Sequence, residues 1–365
     1  MSIQAAQRMG LRCVSLDSSD RSPAAKIAPN LVGKITDPTD IRRIFELADY
    51  VTLENEFIPA ERIAEALQAG GHSETRLVPG LETLATIQDK LLQRQALIAA
   101  GVSSPKAVAL VGGGREAVEQ IGFPMVLKAR FGGYDGKGTR YARSIFDLDR
   151  LSREWSNGEW LAEQFVHFKR ELAVMVVATP TKTTCFPTVQ TVQTDSVCDL
   201  VMPCTSDAAE VAINAVRAVK GTGLFGVELF EREDGAILVN EIAPRPHNSG
   251  HYTLDWGGPS QFECHIRVAL GLPMPELKSE GTAVMANLLG QHNSGDTLPA
   301  IREALKTPNA YVHWYEKDEA KPGRKMGHIN VVGSRLAELD QMIKSATQAR
   351  ENFYRAWTSL SQAAP

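Results

Sequence analysis

Short apolar runs alternate with amphipathic stretches along most of the 365-residue chain, which is the pattern of an α/β protein. Residues 1–10 read as the later turns of a helix and 11–16 as a strand ending at Asp17. The alternation continues through 22–28, a strand at 34–35, a helix over 37–47, a strand over 50–53, a helix over 59–69 and a short strand at 77–79. A parallel sheet of this kind normally has a strand and a turn ahead of its first helix, because that helix needs a face to bury against. The stretch 88–100, QDKLLQRQALIAA, is a strong helix that Gly101 stops. A strand at 108–110 and a helix over 116–121 lead to the apolar strand FPMVLKA at 123–129. Beyond it come a second strand of a hairpin, a helix over 144–155 and a strand over 160–164. In the run over 168–177, strict alternation puts Glu171, Ala173, Met175 and Val177 on one face. Strands at 186–193, 224–230 and 236–241 follow, with a helix over 206–221 between the first two. A helix over 260–269, strands at 282–288, 310–315 and 329–332, and a last helix over 336–346 complete the pattern.

The chemistry gathers at a few of these positions. In FPMVLKARFGGYDGKGT the strand holds Lys128, and the turn after it carries Gly132, Gly133, Gly136 and Gly138 with Lys137 among them. Backbone N–H groups of such a loop can cover a polyphosphate. It has no GxxxxGK[ST] frame and runs into a strand rather than a helix, so it reads as a hairpin flap closing over a nucleotide. Glu54, Asn55 and Glu56 lie just past a strand end, where open α/β sheets place ligands. Glu163 and Glu171 end and begin apolar runs and can edge the same cleft.

If Asp234-Gly235 is a two-residue turn, Glu233 pairs with Ala236 and Glu228 falls opposite Glu241. Two carboxylates roughly 5 Å apart on one face repel each other. Inside apolar strands that arrangement is costly unless a cation compensates it. The segment APRPHNSGH follows at once and presents Arg245, His247, Asn248 and His251. A guanidinium can hold an oxyanion bidentately and an imidazole can hold a proton. Hard oxygen donors favour magnesium over zinc. The basic stretch 317–328 brings Arg324 and Lys325 next to Gly327 and His328, a loop able to wrap a phosphate.

A net charge of −4 gives no reason to expect nucleic acid as a partner. Five cysteines without paired metal-ligand spacing are free or buried thiols and fit a reducing, cytoplasmic compartment. No stretch reaches the length of an uninterrupted apolar membrane helix, so no membrane is expected.

The stretches ENEFIP, QDKLLQRQALIAAGV, GFPMVLKARFGGYDGKG, LAEQFVHFKRELAV, GLFGVELF, VNEIAPRPHNSGHYT, SQFECHIRVALGLP and EAKPGRKMGHINV cover nearly the whole chain. In this order they resemble the ATP-grasp ligases, and within them the 5-(carboxyamino)imidazole ribonucleotide synthase family of purine biosynthesis. The resemblance implies three parts: an N-terminal Rossmann-like domain over 1–80, an ATP-grasp domain over 81–280 with its lid at about 112–175, and a small C-terminal domain over 281–365. It implies ATP and magnesium, with manganese as a substitute, and conversion of bicarbonate to carboxyphosphate that carboxylates 5-aminoimidazole ribonucleotide. It also implies a homodimer.

By the same resemblance Lys90 and Lys128 meet nucleotide phosphates under a flap of Gly133, Tyr134, Asp135, Gly136, Lys137 and Gly138. Glu163, Gln164, Phe165, Val166 and Glu171 meet the adenosine part, Asn240 and Asn248 the phosphate and metal region, and Glu228 with Glu241 the metal. Arg245 and His247 handle bicarbonate. Glu54, Glu56, Tyr134, Lys317, Arg324 and Lys325 face the ribonucleotide, with Lys317 and Lys325 also counted in the catalytic set.

Three departures from the family stand out. The family begins with a strand and a glycine-rich turn ahead of the helix that MSIQAAQRMG resembles, so the first domain is expected to be truncated. Gln190 and Gln193 stand where an acidic and a basic residue are usual, and Glu316 where glycine is. A formate-using glycinamide ribonucleotide transformylase, which matches RPHNSGH and RKMGHI less well, and a noncatalytic ATP-binding remnant are the alternatives.

Overall fold

A computed structural model describes residues 1–133, 136–152, 158–291, 296–334 and 336–362. In the N-terminal part, β1 (Ser15–Asp17) pairs in parallel with β2 (Asn30–Val32), and β3 (Val51–Thr52) with β4 (Leu77–Val78). The strand expected at 34–35 therefore lies earlier. Leu31 packs inward with Val14 and Leu16, while the Lys34 amide donates to Asp40 and is taken up in the turn that starts the next helix. That helix, Pro38–Leu47, is capped by Asp37, has proline in its first turn, and buries Ile41, Ile44 and Phe45. Ile63, Ala66 and Leu67 of the helix Ala60–Gly70 meet them in one core.

The long amphipathic stretch is two helices, Leu81–Gln88 and Lys90–Ala99, divided at Asp89. The Asp89 carboxylate accepts from the Leu91 and Leu92 amides, which places Lys90 as the first residue of the second helix. A four-stranded antiparallel sheet follows, formed by β5 (Ala107–Ala109), β6 (Met125–Ala129), β7 (Thr139–Ala142) and β8 (Trp160–Gln164) in the order β5-β8-β6-β7. The hairpin β6–β7 is the expected glycine flap. The helix expected over 144–155 runs from Ile145 to Leu151, and 153–157 lie outside the described residues.

The remaining strands form one large antiparallel sheet: β9 (Arg170–Ala178), β10 (Thr183–Cys185), β11 (Val189–Thr194), β12 (Val197–Pro203), β13 (Gly223–Glu231), β14 (Ile237–Ala243), β15 (Thr282–Leu289), β16 (Ala310–Trp314) and β17 (Lys325–Gly333). Its order is β14-β13-β9-β11-β12-β15-β17-β16, with β10 on the end of β9. The sheet does not stop near residue 280, because Leu200 and Val201 of β12 pair with Ala286 and Met285 of β15.

Alternation along β9 gives the sheet two cores. Ala173, Met175 and Val177 pack with Tyr252, Trp256 and Cys264; Leu172, Val174 and Val176 pack on the other face with Ala212, Ala215 and Val216 of the helix Ala209–Ala218. The final helix, Leu339–Gln362, is longer than expected, because Phe353 and Trp357 continue the apolar stripe begun by Met342 and Ala346 over the β15–β17 face. No helix among the described residues is long and apolar enough to cross a membrane.

Phe225 is fully buried in the core beneath β13. Phe225→Ala is expected to cost about 3–5 kcal/mol in urea unfolding; a loss below about 1 kcal/mol would contradict this packing.

Candidate active site

The site is built around the β13–β14 hairpin. Its turn is one residue longer than the sequence suggested: Arg232 N–H donates to Ala236 O, and Gly235 at φ 81° closes the loop. From there Glu231 pairs with Ile237 and Leu229 with Val239, a register that would set Glu228 across from Asn240, one residue short of Glu241. A bulge restores the opposition. The register shifts after Leu229, Asn240 becomes the extra residue, and Glu228 lies across from Glu241 as expected. Bulges re-aim side chains beside functional sites. Here Lys128 Nζ donates to Asn240 Oδ1 at 3.1 Å.

Glu228 and Glu241 differ in charge state because their neighbours differ. Burial, then Glu241 and Glu171, push the Glu228 carboxyl up to about 7, although 36% of its side chain remains open to the cleft. For Glu241, burial is outweighed by Lys90, whose ammonium is hydrogen-bonded to the carboxylate, and by Lys128, so its pKa falls. Glu171 is raised by burial, against a hydrogen bond from Gln193.

Lys128 also donates to Glu163 Oε2 at 2.7 Å. The other oxygen of Glu163 accepts from Arg94, Nη2 at 2.7 Å and Nε at 3.2 Å. Both carboxylate oxygens are thus directed at cations, while Gln164, Phe165 and Val166 beside Glu163 line the cleft. Burial alone would raise the Glu163 pKa, but Arg94 and Lys128 hold it at about 2. Sequence reasoning missed Arg94, whose partners lie 69 and more residues away.

Arg245 is held by Glu56 in a bidentate pair, with Nη2 to Oε1 at 2.7 Å. His247 accepts at Nδ1 from the Ser249 amide at 3.4 Å and contacts the Ser249 hydroxyl at 2.8 Å. These bonds leave the ring proton on Nε2, 3.4 Å from Glu228 Oε1. Burial, with Arg245 and Lys325 nearby, lowers the His247 pKa to about 3, so the ring is neutral at pH 7. Gly226 makes room for it, since a Cβ there would stand 2.5 Å from the His247 Cβ. Asn248 exchanges two amide hydrogen bonds with Asn287, at 3.0 and 2.7 Å, and Asn287 is fully buried. Asn287, which thereby fixes the Asn248 amide, also carried no sequence signal.

At the opposite wall, Lys317 Nζ donates to Lys325 O at 2.7 Å and lies 5.4 Å above the Tyr315 ring. Lys317, Lys325 and Glu54 line the cleft; Arg324 does not, being exposed and bonded to Glu319 O within its own loop. Glu316 occupies φ 54°, a left-handed conformation that suits glycine, and Lys26 bonds its carbonyl at 2.7 Å.

Gly133, Gly136, Lys137 and Gly138 line the roof, while Tyr134 and Asp135 lie outside the described residues. Gly136, at φ 74°, rests against the β11–β12 turn, where an added Cβ would meet Ser196 Cβ at 2.7 Å. Val126, Phe165 and Phe230 give the cleft an apolar end. Its volume of about 1360 Å³ exceeds that of an ordinary single-ligand pocket.

Three family models match the chain: the ribonucleotide synthetase preATP-grasp domain over 1–88, the ATP-grasp domain over 101–262, and the phosphoribosylaminoimidazole carboxylase C-terminal domain over 283–342. The N5-carboxyaminoimidazole ribonucleotide synthase of Mycobacterium bovis is 39% identical, over 93% of this chain and 82% of its own. The phosphoribosylaminoimidazole carboxylase of Ogataea methanolica is 34% identical over 94% of this chain, which spans only 66% of that protein's length. The Aspergillus clavatus N5-carboxyaminoimidazole synthase, solved with ADP and 5-aminoimidazole ribonucleotide, superposes with a TM-score of 0.84 at 33% identity, covering 96% of this chain and 95% of that one.

Because the Glu163 pKa is depressed, its stabilising contribution is complete above the ordinary carboxyl value of 4.5 and is lost as pH falls toward about 2. The interval corresponds to roughly 3 kcal/mol. Urea midpoints measured from pH 7 to pH 3 should fall less steeply in Glu163→Gln than in the parent, and parallel acid limbs would contradict the assignment.

Proposed function

The chain belongs to the N5-carboxyaminoimidazole ribonucleotide synthase family of ATP-grasp ligases, and on that premise we propose that it carboxylates 5-aminoimidazole ribonucleotide with bicarbonate, converting ATP to ADP and phosphate. The observation that carries this reading is a single cleft large enough for two ligands. It joins a glycine flap, two lysines and an opposed carboxylate pair at one end to Arg245, His247 and the Lys317–Lys325 wall at the other.

The triphosphate lies under the flap between Lys90 and Lys128, with adenine in the apolar end beside Val126 and Phe165. Glu228 and Glu241 face each other as hard oxygen donors, and Asn248 lies beside them in the cleft, a set that suits magnesium or manganese completed by phosphate oxygens. When bound, such a cation offsets phosphate charge during transfer to bicarbonate.

Arg245 stabilises the oxyanion charge of the activated bicarbonate, and Glu56 fixes where its guanidinium sits. His247 is neutral, so it acts at pH 7 as an N–H donor toward the carboxylates rather than as a charged acid. Lys325, with Lys317, receives the ribonucleotide phosphate, and Glu54 lies on the same side. Closure of the flap keeps water from the acyl phosphate.

Domain limits near residues 80 and 280 rest on the matched segments, 1–88, 101–262 and 283–342, while the large sheet itself runs across the second limit. A cytoplasmic location is consistent with five free thiols, and a homodimer with the family likeness.

Phosphate release from magnesium ATP, followed together with the carboxylated product, should require both bicarbonate and 5-aminoimidazole ribonucleotide. ATP hydrolysis that yields no product and ignores the ribonucleotide would defeat the proposal. Glu241→Gln should lower kcat/KM roughly 100-fold, and an unchanged value would remove the carboxylate pair from the site.

A further inference from the structure

Arg94 belongs to neither half of this chemistry. It stands one turn beyond Lys90 on the helix Lys90–Ala99, is 3% exposed, and does not line the cleft. Its side chain nevertheless touches two elements that do. Nε and Nη2 both reach Glu163 Oε1 on β8, Nη1 donates to Val239 O at 2.8 Å, and Nη2 to Asn240 O at 2.8 Å on β14. Those two carbonyls flank the bulge that aims Asn240 at Lys128 and holds Glu241 opposite Glu228.

The carboxylate that Arg94 binds gives its second oxygen to Lys128, which lines the cleft. The three side chains form a guanidinium–carboxylate–ammonium row that carries one net positive charge, at the end facing the cleft. Without Arg94, Glu163 would pair with Lys128 alone, and the positive charge that Lys128 presents to the cleft would be largely cancelled.

We propose that Arg94 is a positioning residue for nucleotide: it absorbs the charge of Glu163, so that Lys128 keeps its own for a phosphate, and it clamps the β14 bulge beneath that lysine. This rests on the reading that ATP occupies the cleft.

The test is calorimetric titration of the full chain with ADP and magnesium, in the parent, Arg94→Lys, Arg94→Met and the double variant Arg94→Met/Glu163→Gln. Arg94→Met should bind ADP at least about 10-fold more weakly, because Glu163 then falls on Lys128 alone. Arg94→Lys keeps the charge but not the planar fork, and should bind ADP more weakly than the parent yet more tightly than Arg94→Met. The double variant removes both buried charges and should bind more tightly than Arg94→Met, a rescue that loss of a structural fastener would not give. Arg94→Met binding like the parent, or a double variant no tighter than Arg94→Met, overturns the proposal. Should Arg94→Met not fold, Arg94→Lys and the double variant decide: each must hold ADP within about 10-fold of the parent, and failure of either to fold or to bind overturns it. A parent chain that binds no ADP would defeat the functional reading instead.

Discussion

Glu163 is 2% exposed and ionised, so its burial has to be offset by direct contact with cations on both oxygens. Arg94 supplies one side and Lys128 the other, and these residues belong to three different elements: the helix Lys90–Ala99, β8 and β6. Desolvating such a group costs several kcal/mol, and removing one partner from a buried pair typically costs about 3–5 kcal/mol. The row of charges therefore locks the flap-bearing sheet to the helix that presents Lys90. Asp89 reinforces the joint from the helix cap, where Arg130 Nε donates to it at 2.9 Å.

From that joint the rest of the cleft follows by short connections. Arg94 holds the backbone at Val239 and Asn240, the bulge there sets Glu228 against Glu241, and Lys90 reaches across to Glu241. The two carboxylates acquire opposite tendencies, Glu228 drawn toward the protonated form and Glu241 toward the ionised one. A pair poised in this way has an unmet need for positive charge, which a divalent cation and its phosphate ligands would satisfy. Beyond the pair, Arg245 and His247 hang from the same chain segment. Their neighbours Glu56 and Ser249 fix them, so this guanidinium and imidazole are prearranged relative to the carboxylate pair.

Much of this geometry was legible in the sequence because it rests on local periods. The two faces of β9 follow from alternation, the flap from its glycines, and the opposition of Glu228 and Glu241 from a hairpin count. That count reached the right pair through the wrong turn: Asp234-Gly235 looks like a two-residue hairpin, and the three-residue loop and the bulge at Asn240 offset each other. Strand β12 was hidden because its turn uses Asp195 and Ser196 at φ 51° and 63° where glycine or asparagine is the usual signal. Arg94 and Asn287 gave no sign at all, since each is defined by a partner on another element. The alternation at the start of β17 could have separated Lys325, which faces the cleft, from Arg324, which does not.

A crystal structure of the chain with magnesium ADP tests the account most directly. It should show a phosphate oxygen on Lys128 Nζ while that lysine still touches Glu163, with Arg94 unmoved behind them and a cation between Glu228 and Glu241. Nucleotide bound away from the flap, or Lys128 swung off Glu163 with Arg94 left unpaired, would contradict it.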